Sequence, residues 1–353
     1  MGDREKKYFE AIHEAIDMSM QHDPSVYIIG LGVPDPKGIF GTTIGLQKKY
    51  GKERVMDMPC SENGMTGVAI GSALVGMRPI MVHQRVDFAV LALEQIVNQA
   101  AKWHYMFGGQ LRVPMVIRLI IGRGWGQGPQ HSQSLESWFA HIPGLKVVMP
   151  TTPYDAKGLL IASIEDNNPV IFIEHRWLHN ISGQVPERMY RVPIGKPEIL
   201  CKGSDITIVA TSFMTLEALR AQKYLLGLGI ETEVIDLRTL RPLDDAIIIT
   251  SVKKTGRLLV VDTGWTSFGT GAEIIARVTE KGFSYLTSAP HRIGLPEVPT
   301  PTSAALSNYY YPQAEDIIRA VLKMLKKNIR GITIPKLHDG PLDIPDMSFT
   351  GPF

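Results

Sequence analysis

The sequence predicts an α/β chain of two domains, each built on a mainly parallel sheet. Three observations carry that expectation. Short β-branched or apolar runs alternate with helical periodicity along most of the chain, the pattern of crossover helices covering parallel strands. The length of 353 residues exceeds the roughly 100–200 residues of one ordinary domain. Between Ser182 and Lys202 the composition turns to Gly, Pro and charge, which divides the alternation into two series. The expected division is a first domain over residues 1–190, a second over 191–330 and an extended tail over 331–353.

In the first series, strands are expected at Val26–Gly30, Arg54–Met58, Pro79–His83, Val113–Ile120, Leu145–Met149 and Val170–Glu174, with helices at Ser61–Gly76, Phe88–Met106 and Tyr154–Asp166. Apolar residues surround the run Phe88–Lys102 on every side, which predicts a helix buried between layers or in an interface. The second series gives strands at Ile206–Ala210, Glu233–Asp236 and Arg257–Asp262, and helices at Met214–Leu226, Leu243–Thr255, Gly271–Glu280 and Ala314–Lys327. The tail holds four prolines and little periodicity, and is expected to lie across a neighbouring surface.

Composition excludes several classes. Hydrophobic residues make up 44% and charged residues 20%, ordinary globular usage that argues against disorder or coiled coil. Lys plus Arg number 37 against 35 acids, so no global field draws the chain to nucleic acid or an anionic membrane. Cys60 and Cys201 have no ligand-like spacing and read as two buried free thiols. The first twenty residues read as an amphipathic helix rather than a secretory signal, and Arg118 interrupts the longest apolar run. A cytoplasmic compartment and no membrane span are the expectation.

Two glycine-rich segments fail as nucleotide motifs. In Gly122-Arg-Gly-Trp-Gly-Gln-Gly128, Gln127 stands where a dinucleotide fingerprint needs Gly. In Gly264–Gly269, Thr270 stands where a P-loop places Lys, so a tight turn into a helix is expected instead. The segment Met58-Pro-Cys-Ser-Glu62-Asn-Gly64 is more informative. A strand ends at Pro59, Ser61 is placed to cap the next helix, and Glu62 falls in its first turn, where α/β folds bind ligands. The bland alternative is a carboxylate that only complements the helix dipole. Against it stand Gly64, Gly67, Gly71, Ser72 and Gly76, a small-residue face that invites close approach of a helix or subunit and would leave Glu62 in a dry interface.

Together with "ALEQIVNQAAK" after Phe88, the His131-Ser-Gln motif and Pro143-Gly-Leu-Lys-Val-Val-Met-Pro150, this segment resembles the beta subunit of the thiamine-diphosphate-dependent 2-oxo acid dehydrogenases of pyruvate or branched-chain type, within the transketolase-like superfamily. The likeness runs from about residue 5 to about residue 325. It implies a pyrimidine-binding domain followed by a transketolase C-terminal domain. It also implies roles: Glu62 bonded to the cofactor's aminopyrimidine nitrogen, Phe88 stacked on that ring, and His131 on the substrate side as a proton carrier or carboxylate holder. The superfamily holds magnesium on the diphosphate with a Gly-Asp-Gly segment and a later Asn, which this sequence lacks. The resemblance therefore implies an alpha subunit that supplies Mg2+ and diphosphate contacts, most simply in an α2β2 tetramer, and, in the dehydrogenases, a lipoyl acyltransferase. Backbone carbonyls of Met115, Ser163, Asp166 and Asn168 match positions that hold a K+-like ion in some relatives.

Three departures surround the expected substrate entrance. Gly30-Leu31-Gly32 replaces an acidic segment, Val82-His-Gln-Arg85-Val-Asp-Phe88 replaces an apolar-aromatic one, and Arg123, Trp125 and Gln127 replace small residues. Arg85, Arg123 and Gln127 are the resulting candidates for substrate binding. They suggest a larger, anionic or sugar-like substrate, unless the arginines are simply paired with the alpha partner. The main expectation is decarboxylation of a 2-oxo acid with transfer of its acyl unit. The alternatives are a split transketolase and a non-catalytic assembly subunit, with a nicotinamide oxidoreductase a distant third.

Overall fold

The computed structural model describes residues 3–122, 126–327 and 334. Its strands are β1 (Asp3–Lys7), β2 (Val26–Gly30), β3 (Val55–Met56), β4 (Arg78–His83), β5 (Val116–Ile121), β6 (Lys146–Val148), β7 (Val170–His175), β8 (Ser182–Pro186), β9 (Glu198–Cys201), β10 (Ile206–Ala210), β11 (Thr232–Asp236), β12 (Thr239–Arg241), β13 (Leu258–Trp265) and β14 (His291–Leu295). A seven-stranded sheet has the order β12-β6-β7-β5-β4-β2-β3 and is parallel except where β12 meets β6. A five-stranded sheet, β14-β13-β10-β11-β9, is parallel apart from β9. The expected α/β architecture with two mainly parallel sheets is the observed one.

The central strands β5, β7 and β10 are buried at every residue, as strands covered by helices on both faces must be. The charge that breaks the β5 run is accommodated by pairing. Arg118 and Glu174 are both fully enclosed, with Nε donating to Oε1 at 2.6 Å and Nη2 to Oε2 at 3.0 Å. Burial alone would raise the Glu174 carboxyl, but the Arg118 charge and the His179 hydrogen bond outweigh it and hold it at about 2.

Four features differ from expectation. The charged segment Asp3–Lys7 is a strand paired antiparallel with β8, and the helix begins only at Tyr8. The Phe88–Met106 helix is broken into a turn at Val86–Ala89, a 3-10 segment at Val90–Ala92, a π segment at Gln95–Ala100 and a turn at Trp103–Met106. Its Leu91 is exposed on the single chain, so burial between layers does not cover the whole run and the interface alternative is left for that face. Strand β12 comes from beyond the Ser182–Lys202 divide yet completes the first sheet, so the two series share an edge. The thiols are not buried: Cys60 is exposed and Cys201 half-buried. The expected tail lies outside the described residues except for Ile334. Among the described residues no helix is long and apolar enough to cross a membrane.

Candidate functional site

Strands β3, β2, β4 and β5 run parallel and adjacent, so the segments that follow them gather at one edge, where open α/β sheets place their ligands. The turn after β3 leads to Glu62, the first residue of the helix Glu62–Leu74. Ser61 does not cap that helix through its side chain. Glu62 is half-buried, and among the described residues its carboxylate has no hydrogen-bond or ion-pair partner. The helix is fixed to β4 beneath it by Thr66, whose hydroxyl lies 3.4 Å from Nε2 of the buried His83. Burial pushes His83 down to about 4, so it stands neutral there at pH 7.

The segments after β4 and β5 meet directly. Phe88 and His131 contact edge to face, with ring centroids 5.5 Å apart and planes at 84°. Gln133 donates from Nε2 to Oδ1 of Asp87 at 2.8 Å, and burial pushes the Asp87 carboxyl upward. Arg85 is 2% exposed; its Nη1 donates to the Gly122 carbonyl and its Nη2 to Oε1 of Gln127 at 2.5 Å. The structure thus brings Phe88 to His131 and Arg85 to Gln127, with Arg85 turned into the protein. Arg123 and Trp125 lie outside the described residues.

The turn after β2 explains one departure noted in the sequence. Gly32 has φ +74°, and a Cβ there would lie 2.9 Å from Gln84 Nε2 and 3.0 Å from Asp35 Oδ2, so no side chain fits without displacing them. Its N–H donates instead to Oδ1 of Asp57 at 2.9 Å. Carboxylates therefore still stand at this edge, Asp57 after β3 and Asp35 after β2.

Other titratable groups below the edge escaped the sequence reading. His175 ends β7, stacks on Phe213 at 5.0 Å, and is driven to about 3 by burial. A Cβ at Gly122 would meet its ring at 2.6 Å, which ties this glycine to the histidine beneath it. Glu136 is enclosed at the contact between the two sheets' domains and accepts a hydrogen bond from Thr263 Oγ1 at 3.0 Å. Burial, then the nearby Asp262, raise its carboxyl to about 7. Asp262 itself caps the helix Thr270–Gly282, accepting from the Gly271 N–H at 3.1 Å. The P-loop-like glycines therefore lead to a helix start already met by a carboxylate, the tight turn the sequence suggested.

Of the four carbonyls proposed for a monovalent cation, those of Met115, Ser163 and Asp166 each accept a hydrogen bond within the chain. Met115 O accepts from the Val170 N–H at 3.0 Å and Ser163 O from the Asp166 N–H at 3.3 Å. Arg78 Nη1 donates to the carbonyls of Ile164 and Asp166 at 3.0 and 3.1 Å. The Asn168 N–H turns back to Asp166 Oδ1. A bound cation would share the Asp166 carbonyl with a guanidinium of like charge, so this turn does not fit one well.

Residues 4–180 match the family model of the transketolase pyrimidine binding domain, and residues 195–317 that of the transketolase C-terminal domain. The beta subunit of acetoin:2,6-dichlorophenolindophenol oxidoreductase from Cupriavidus necator is 44% identical over 90% of this chain and 96% of its own. The mitochondrial pyruvate dehydrogenase E1 component subunit beta-2 of Oryza sativa is 44% identical over 88% of this chain and 84% of its own. The corresponding subunit of Acholeplasma laidlawii is 42% identical over 90% and 97%. A split-gene transketolase solved as an inactive beta4 tetramer shares the fold, with a TM-score of 0.76 at 24% identity over 90% of this chain and 98% of that one. The chain accordingly belongs to the beta subunits of the thiamine-diphosphate-dependent 2-oxo acid dehydrogenases, within the family built from transketolase pyrimidine-binding and C-terminal domains.

Proposed function

We propose that this chain supplies the pyrimidine-side half of a thiamine-diphosphate active site and works with an alpha subunit in an α2β2 assembly to decarboxylate a small 2-oxo acid and pass on its acyl unit. The contact of Phe88 with His131, together with a Glu62 carboxylate that has no partner among the described residues, carries this reading. Thiamine diphosphate, held on its pyrimidine side by Glu62 and Phe88, would supply a carbon nucleophile for the substrate carbonyl. Glu62, with no partner among the described residues, would hydrogen-bond the pyrimidine ring nitrogen and polarise the ring by sharing a proton with it. Phe88 offers a ring face for stacking. His131, half-buried at the edge, holds the substrate carboxylate or carries a proton to or from it.

Mg2+ and the diphosphate contacts fall to the alpha subunit in this proposal; a K+ ion is not part of it, because Arg78 already brings positive charge to the Asp166 carbonyl. The partner has a surface to meet. A Cβ at Gly71 or Gly76 would find nothing within 4 Å, and Val68 and Val75 beside them are exposed. The beta subunits similar to this chain are named for pyruvate and for acetoin, which favours a small two-carbon donor over a sugar. Transfer to a lipoyl acyltransferase, a cytoplasmic location and the division at residues 190 and 191 belong to the same reading.

The test is Glu62→Gln in the complex reconstituted with its alpha chain. Turnover should fall by about 10²-fold or more with the melting temperature unchanged; retained turnover would favour a scaffold subunit. Thiamine diphosphate plus Mg2+, followed through tryptophan fluorescence, should saturate only when both chains are present.

A further inference from the structure

A buried guanidinium needs a reason, because its charge is costly to desolvate without a carboxylate beside it. Arg85 is 2% exposed, and the hydrogen bonds it makes go to two neutral acceptors, the Gly122 carbonyl and the Gln127 side chain. Those acceptors mark two points on the stretch that leads from β5 toward His131. Gly122 directly follows β5, and Gln127 sits four residues before His131. From Gln127 the chain is pinned onward: Ser132 Oγ donates to the Gln127 carbonyl at 3.2 Å, and the His131 N–H to the Gly128 carbonyl at 3.2 Å. The next contacts return to the segment carrying Arg85, through Gln133 to Asp87 and His131 to Phe88. Arg85 also feels the opposing charges of Arg176 and Asp87, the latter too weak to offset its burial, and lies over the ring of Phe40, 5.6 Å from its guanidinium carbon. Burial and then Arg176 lower its pKa to about 10, which leaves it charged at neutral pH.

We propose that Arg85 is a positioning residue: its forked guanidinium ties both Gly122 and Gln127 to the end of β4 and so holds the His131 ring against Phe88. A fork that spans two acceptors suits this task, whereas a lysine ammonium is a single point of charge. The role differs from substrate contact, since the side chain is enclosed. It rests on the reading of His131 as part of the reaction site, but its geometry is measurable without any reaction.

The experiment uses the reconstituted complex with label at the histidine Cε1 carbon. Phe88→Leu assigns the ring-current displacement that Phe88 imposes on the His131 resonance. Arg85→Met should lose that displacement and lower kcat by about 10²-fold, the scale expected for a misplaced catalytic group, with substrate KM little changed. Arg85→Lys should recover part of both. Should Arg85→Met fail to assemble, Gln127→Leu takes its place and should move the resonance in the same direction. An unmoved His131 resonance in these variants would overturn the proposal. So would a raised KM with kcat and the resonance intact, which would make Arg85 a substrate contact. If instead His131→Gln retained full turnover while Arg85→Met still displaced the ring, the positioning would stand and the reaction role of His131 would fall.

Discussion

Glu136 makes the most quantitative prediction. Its carboxyl is 1% exposed, accepts from Thr263, and lies near Asp262. Burial first, and the Asp262 charge second, raise it to about 7. In the unfolded chain it titrates near 4.3. Between these values the folded chain holds a proton that the unfolded chain has lost, so stability falls as pH rises from about 4.3 to about 7, and is flat beyond. At roughly 1.4 kcal/mol per pH unit the loss comes to about 4 kcal/mol. Glu136→Gln is uncharged at every pH, has the same shape, and keeps an oxygen for Thr263. It should match the parent at pH 4 and exceed it by about 4 kcal/mol at pH 8. With an unfolding entropy of roughly 2.1 cal/mol/K per residue over 353 residues, that is a gain of about 5 °C. Calorimetry at the two pH values and constant salt reads it directly. An offset between parent and variant that is the same at both pH values would refute the reasoning.

The Arg118–Glu174 pair should be costly to halve and cheap to remove. Glu174→Gln leaves a buried guanidinium uncompensated and should cost about 3–5 kcal/mol, whereas Arg118→Met with Glu174→Leu should recover most of that, measured by urea unfolding. Gly71→Leu fills a position with open space in this chain and improves helix propensity by up to about 1 kcal/mol. The isolated chain should melt no lower than the parent, while assembly with the alpha subunit, read by sedimentation, should be lost.

Legibility followed the range of the interactions. Strands such as β2 and β10 agree with expectation residue for residue, because a short apolar run between turn signals is a local pattern. Asp3–Lys7 is charged throughout and becomes a strand only through its pairing with Ser182–Pro186, some 180 residues away, which no window of sequence contains. Thr239–Arg241 is three residues long and takes its identity from β6 in the other series. The helix break after Phe88 was hidden for a different reason: apolar residues all round fit α, 3-10 and π turns equally well. For the candidate site, Glu62 was singled out by its place in the first turn after a strand, and Phe88 and His131 by the family resemblance. The bracing beneath them was not. Arg85 read as a substrate-binding or partner-paired cation because its partners here are a backbone carbonyl and an amide, neither of which leaves a compositional trace.

The second domain helps to fix the candidate site. The segment bearing His131 is fixed from the first domain by Arg85 and Asp87, and from the second by two further bonds. Thr300 Oγ1 donates to the Ser132 carbonyl at 3.5 Å, and Thr263 Oγ1 donates to Glu136 at the start of the next helix. Strand β12 covers the β6 edge of the sheet on which that segment rests, and an uncovered edge would be open to pairing with other chains. Arg238, just before β12, completes the tie by pairing with Asp155 at 2.9 Å, at the head of the helix Pro153–Glu165. The position of His131 is thus a property of both domains together, and substitutions at Thr263 or Thr300 belong among those that should displace the His131 segment without touching anything bound at the candidate site.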